Sequence, residues 1–109
     1  MSFTSNLKHI ITIQELLIST DDIGSRLEKW NNFKIVRAEV QALSEKSVGE
    51  MFSSMQLMEA SFYRFRIRYI KELKNNMRII YNNRCFLVKR VINQSESSII
   101  SMIIAQEVL

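Results

Sequence analysis

The sequence predicts a mainly β fold, a small antiparallel β-barrel or sandwich of about six strands with one inserted α-helix near residues 45–60. Three observations lead there. Ser61 to Tyr69, reading SFYRFRIRY, alternates with period two along its whole length. Tyr63, Phe65, Ile67 and Tyr69 fall on one face and Arg64, Arg66 and Arg68 on the other, because successive strand side chains point to opposite sides of a sheet. Other stretches rich in β-branched and aromatic residues repeat that alternation at short intervals. Only the segment beginning at Ser47 changes to a helical period.

Taken in order, Leu7 to Gln14 sets Ile11 and Ile13 on one side and Ile10, Thr12 and Gln14 on the other, and Glu15 to Thr20 continues it past a bend. Asp21 to Asn32 is polar, contains Asp21, Asp22 and Gly24, and reads as a surface loop. Trp30 is its exception, an anchor for packing on the barrel mouth. Phe33 to Leu43 alternates again, with Val36, Ala38 and Val40 opposite Ile35, Arg37, Glu39 and Gln41. From Ser47, the apolar residues Val48, Met51, Phe52, Met55 and Met58 mark a helix with one buried stripe, and Ser47 and Glu50 have capping-box spacing. The central strand follows, and each of its four large apolar groups contributes about 1.5–3 kcal/mol when fully buried. Lys71 to Asn76 is a charged turn and Met77 to Tyr81 a short strand. Arg84 to Ile92 places Cys85, Leu87 and Val91 on one face and Phe86, Val88, Arg90 and Ile92 on the other. Asn93 to Ser98 is a polar loop, and Ser98 to Val108 is a last strand, apolar on both faces and so expected between layers.

Proline is absent and there are only two glycines, so other residues must make the turns. Asparagine tolerates the left-handed backbone conformation and occurs in three adjacent pairs, Asn31-Asn32, Asn75-Asn76 and Asn82-Asn83. Each reads as punctuation between strands, with Asn82-Asn83 suited to a two-residue hairpin.

Composition narrows the function classes. A chain of 109 residues, 47% hydrophobic and 24% charged, predicts one folded domain over residues 1–109 that buries a core without disulfides or metal. The net charge of +4 permits nucleic-acid contact without arguing for it. A single cysteine, Cys85, excludes an internal disulfide and a cysteine-rich zinc site, and its place in a strand pattern makes it a small core residue. His9 is the only histidine, and neither a metal-ligand spacing nor a glycine-rich phosphate loop occurs. Asp21 with Asp22, and Glu45 with Glu50, are explained by solvation or a helix dipole. No catalytic, cofactor or metal residue is assigned, and the expectation is a protein that is not an enzyme. The longest apolar run, near Ile99 to Ala105, is broken by Ser101 and too short to cross a bilayer. Without an apolar h-region at the N-terminus, an intracellular product is expected.

The arginine face of the central strand requires a negative partner, because guanidinium groups two residues apart repel. Carboxylates such as Glu39, in the same or a neighbouring subunit, are the preferred partners, and phosphates the other.

The order of motifs carries a further reading. Leu7-Lys8-His9 with Ile11-Thr12-Ile13-Gln14 is followed by a polar stretch ending in Trp30, then by Val36, Ala38-Glu39-Val40 and Leu43-Ser44. Ile67-Arg68-Tyr69 comes next, and then Met77-Arg78-Ile79-Ile80-Tyr81 with Arg84-Cys85-Phe86. In this order, along nearly the whole chain, they resemble the phage head-tail joining proteins, also called head-closure or head-tail adaptor proteins. That family reads L-R/K-H-x-I/V-T-I-Q, V-W-A-E-V-x-P-L-S, I-R-Y and M-R-I/V-x-F/Y-x-G-R-x-F/Y. Arg37 stands where the family has tryptophan, Ala42 where it has proline, Glu45 where it has glycine and Asn83 where the hairpin glycine falls. Arg37 exchanges a large apolar surface for a charge, and the resemblance implies that an inter-subunit contact would be altered there.

The resemblance implies a structural component of a virion or prophage particle, a ring below the portal that closes the DNA-filled head and docks the tail. Its partners would be portal or connector proteins, tail proteins and other copies of itself, a ring homo-oligomer on assembly and a monomer when isolated. Packaged double-stranded DNA in the channel is a further implied contact, and no membrane is involved. The protein would reside at the head-tail junction of the virion after synthesis in the host bacterial cytoplasm. Arg64, Arg66, Arg68, Arg37 and Glu39 would form an inter-subunit or DNA-channel face, and Asp21, Asp22 and Arg26 a partner-docking loop. The rival reading is a small basic OB-like barrel that binds single-stranded nucleic acid, which needs Tyr63, Phe65 and Tyr69 exposed as stacking platforms.

Overall fold

The computed structural model describes residues 7–43, 61–94 and 99–108. Within them the alternating segments form β1 (His9–Thr20), β2 (Arg26–Ala42), β3 (Phe62–Arg68), β4 (Met77–Tyr81), β5 (Arg84–Gln94) and β6 (Ile100–Val108). All neighbouring strands are antiparallel, and the order β1-β2-β3-β6-β5-β4 returns to β1, so the sheet closes into a barrel rather than a sandwich. Closure gives every strand a hydrogen-bonded neighbour on each side, although β2 pairs with β3 over only part of its length. The helix expected near residues 45–60 lies outside the described residues.

The barrel interior is filled by inward side chains from all six strands, among them Ile11, Ile13, Ala38, Phe65, Ile67, Ile79, Phe86, Val88, Ile103 and Ala105. Phe65 and Phe86 meet edge to face with centroids 5.1 Å apart, and Tyr63 meets Phe86 likewise at 5.0 Å. Such contacts fix ring orientation as well as burying area. Ser101 is the one buried polar residue among the described residues, and it is satisfied. Its hydroxyl donates to Asn93 Oδ1 at 2.9 Å and accepts from the Ile70 amide at 3.2 Å. On β6, Met102 and Ile104 are buried as well as Ser101, Ile103 and Ala105, so both faces of this strand are covered.

Two register shifts alter the expected faces. In β5 the pairing passes from Val88↔Ala105 to Arg90↔Ile104, which leaves Lys89 as an extra residue. A bulge of one residue reverses the side-chain parity beyond it. Val91 therefore packs against the core with Phe86 and Val88, while Arg90 and Ile92 leave the face on which strict alternation set them. In β2 the shift from Ile13↔Lys34 to Gln14↔Asn32 makes Phe33 the extra residue. Asn31-Asn32 consequently lies within β2 beside a bulge, and does not mark a strand boundary. Asn82 and Asn83 do form a hairpin turn, with φ of 52° and 61°, the two positive angles of a type I′ turn.

The stretch Asp21 to Asn32, read as a loop, is mostly strand. Only Asp21 to Ser25 turn, and Arg26 to Asn32 belong to β2. Asp21 Oδ1 accepts from the amides of Ile23 at 3.0 Å and Ser25 at 2.8 Å, and Gly24 takes φ of 84°. The side chain thus replaces a backbone partner and lets a short polar turn close the hairpin. β4 pairs with β1 only over Thr12 to Glu15, and β3 with β2 only over Glu39 to Ala42. Leu16–Thr20 and Arg26–Trp30 therefore leave the barrel as a two-stranded ribbon, which accounts for extents of 55 × 31 × 29 Å.

Candidate functional site

The β2–β3 wall carries the predicted arginine face. Register sets Glu39 opposite Arg66 and Gln41 opposite Arg64. Arg66 reaches Glu39 with 3.6 Å between nitrogen and oxygen, and Arg64 donates a hydrogen bond to Gln41 Oε1. The Glu39 carboxylate offsets part of the repulsion along the arginine row, and Gln41 offers Arg64 a neutral acceptor. The ladder ends at Glu39↔Arg66, and beyond it β2 and β3 diverge. There Lys34, Arg37 and Arg68 are exposed, with no carboxylate paired to them among the described residues. They rim a groove of about 470 Å³ whose apolar surface comes from Leu7, Val36, Tyr69 and Ile70.

The candidate residues thus divide into three groups. Arg64, Arg66 and Glu39 interact along the ladder, and Arg37 and Arg68 meet Lys34 at the groove. Asp21, Asp22 and Arg26 sit at the far end of the ribbon, where Arg26 makes an exposed pair with Glu28 at 3.1 Å. Lys34 was not singled out from sequence, and no periodicity marks it, because its place at the groove depends on where the β2–β3 ladder stops.

The ribbon is fastened to the barrel wall at its root. Arg78 Nε donates to Gln14 Oε1 at 2.6 Å, and Gln14 Nε2 donates to Asn32 Oδ1 at 2.9 Å. The Arg78 guanidinium lies 4.4 Å from the centroid of Trp30, a cation–π contact across β4, β1 and β2. Trp30 therefore packs on the wall from within a strand.

A second arginine cluster fastens the opposite hairpin. Arg84 donates to both carboxylate oxygens of Glu107 at 2.7 Å and to the Tyr63 hydroxyl at 2.7 Å. The bidentate hydrogen bond to Glu107 is the main cause that holds Arg84 above its ordinary pKa, and the same bond holds the Glu107 carboxyl below the usual carboxylate range. Distant pairs of this kind leave no local sequence signal.

The aromatic residues of the central strand do not form an open platform. Phe65 is fully enclosed, the Tyr63 ring lies against Phe86, and Tyr69 is half-buried beside the groove. Stacking of successive bases needs exposed ring faces, so this geometry opposes the single-strand-binding alternative. Among the described residues no three His, Cys, Asp or Glu side chains converge to hold a metal ion, and no helix is long and apolar enough to cross a membrane.

A family model described as phage head completion protein matches residues 4–108. The chain belongs to the phage head completion protein family. This is a family of structural virion proteins, so the chain has a structural role in the phage head. Among curated protein sequences none matches. Two solved structures share the fold of this chain. One is the solution structure of protein SF1141 from Shigella flexneri 2a, at 22% identity and a TM-score of 0.78, covering 97% of this chain and 96% of that one. The other is a chain of the virion of a native gene transfer agent particle, at 19% identity and a TM-score of 0.65, covering 94% and 96%. Identities this low establish likeness of fold alone.

Proposed function

We propose that the protein assembles as a ring below the portal, closes the DNA-filled head and provides the surface on which the tail docks. The observation that carries the reading is the family match over nearly the whole chain. The architecture supports it. A closed ring of identical subunits needs two unlike faces that meet head to tail. A ribbon projecting on one side and a basic apolar groove on the barrel wall are two unlike surfaces that suit such a contact.

The mechanism is binding and assembly. The closed barrel is the rigid body, and Asp21, Asp22 and Arg26 on the ribbon belong to the joining element. On the arginine face, Arg66 and Glu39 neutralise each other within one subunit, which leaves Arg37 and Arg68 to meet carboxylates of a neighbour. DNA phosphate in the channel is the competing partner, and binding to phosphate weakens steeply with salt. Portal and tail proteins are the outer partners, and the site of action is the head-tail junction of the virion, after synthesis in the bacterial host cytoplasm.

Heads that have packaged DNA in the absence of this protein test the reading. Adding the purified chain should make the heads retain DNA through dilution and accept tails. Heads that leak and stay tailless despite bound protein contradict the role.

A further inference from the structure

We infer that the tip of the β1–β2 ribbon, Asp22-Ile23, seats in the β2–β3 groove of the neighbouring copy of the chain and so joins subunits head to tail. The inference rests on the ring reading above and names its contact. A two-stranded ribbon is at best marginally stable in water. This one nonetheless exposes Leu17 at 45%, Ile18 at 55%, Leu27 at 49% and Ile23 at 85%, apolar area that marks a contact surface.

The tip is shaped before it binds. Asp21 Oδ1 is committed to the amides of Ile23 and Ser25, which fixes the turn with Ile23 outward. Asp22 beside it is exposed and makes no hydrogen bond or ion pair with the described residues. The tip is therefore an apolar knob with a negative charge next to it, held in one conformation at little further entropic cost.

The groove is its complement. Val36, Tyr69 and Ile70 give it an apolar wall, and Lys34, Arg37 and Arg68 give it a positive rim, with no carboxylate among the lining residues. An apolar wall inside a cationic rim suits an isoleucine flanked by an aspartate better than it suits a phosphate. The subunit's own tip cannot fill it. β2 lines the groove at Lys34 and runs on continuously to Arg26 at the ribbon's end, and that extended run spans roughly 26 Å at about 3.3 Å per residue. Contact between unlike patches on identical chains is heterologous, and it closes into a ring when the rotation permits.

Cysteine pairing on assembled rings tests this. In a Cys85→Ser background, Ile23→Cys and Tyr69→Cys are combined, the protein is added to portal complexes, and rings are verified by electron microscopy before oxidation. The expected result is a ladder of disulfide-linked multimers that disappears when either new cysteine is omitted. Rings without a ladder, or an intrachain band alone, overturn the contact and leave the ring reading standing. Absence of any ring, for the unmodified chain as well, contradicts the ring reading itself. A charge exchange provides the second arm. Asp22→Arg should lower ring occupancy about tenfold or more, and adding Arg37→Asp with Arg68→Asp should restore it. If Asp22→Arg assembles normally while Arg37→Asp with Arg68→Asp only loses DNA affinity, the groove holds phosphate and the inference fails.

Discussion

Replacing Phe65 by alanine distinguishes a barrel core from a nucleic-acid platform, because the two assign opposite roles to the same ring. Phe65 has no exposed surface and lies 5.1 Å from Phe86 and 6.4 Å from Tyr81, centroid to centroid, in the middle of the barrel. Truncating a buried phenylalanine costs about 3–5 kcal/mol, the sum of lost transfer energy and the cavity that remains. A chain of this length has a total stability on the order of 5–16 kcal/mol, so the variant loses a third or more of it in most of that range. In urea, with a slope of about 1.5 kcal/mol per molar, the unfolding midpoint should fall by about 2–3 M. Tryptophan and tyrosine fluorescence with far-ultraviolet circular dichroism follow the transition, and titration with a single-stranded oligonucleotide at two salt concentrations runs beside it. A loss of less than about 1 kcal/mol, together with weakened oligonucleotide binding, would refute the core assignment.

Asn83→Gly should stabilise by about 0.5–1 kcal/mol, because φ of 61° is easier for glycine, whereas Asn83→Val should cost more than about 1 kcal/mol; thermal unfolding of the pair reads both. A double-mutant cycle on Arg66→Ala and Glu39→Ala should give a coupling of about 0.2–1 kcal/mol, as expected of a part-exposed cross-strand pair at 3.6 Å. Glu107 has its folded pKa held below the unfolded one by Arg84, so its contribution is complete above about pH 4.3 and is lost as pH falls through the lower folded value. Glu107→Gln should therefore flatten the acid limb of the melting-temperature profile and lower its neutral plateau. Arg78→Ala removes the contact with Trp30 and the bond to Gln14, so hydrogen exchange should quicken at Leu16–Thr20 and Arg26–Trp30 while β3 and β6 amides are unchanged.

What was legible in the sequence is what depends on neighbours in the chain. Tyr63 to Arg68 alternates because one face meets the barrel interior, and its pattern alone marks a strand; Phe62, buried on the parity of the arginines, departs from it. Asn82-Asn83 was legible because the turn's demand for positive φ is met by the two residues themselves. Arg26 to Lys29 was not, because both faces of the projecting ribbon are exposed and nothing selects alternation there. Lys89 reverses the faces of β5 by a single insertion, and only the partner strand β6 reveals it. The choice between barrel and sandwich rests on β4 pairing with β1, a contact between distant segments. At the candidate site, Arg66 and Glu39 were foreseeable as opposite charges on facing strands, while the groove formed by Arg37, Arg68 and Lys34 exists only because two strands part.

The most direct measurement of the proposed role is electron microscopy of the purified chain mixed with the portal complex from the same genome. A ring added coaxially below the portal, with each subunit's ribbon reaching the next barrel, is the predicted result. Portals that remain bare, in isolation and on DNA-filled heads alike, would contradict it.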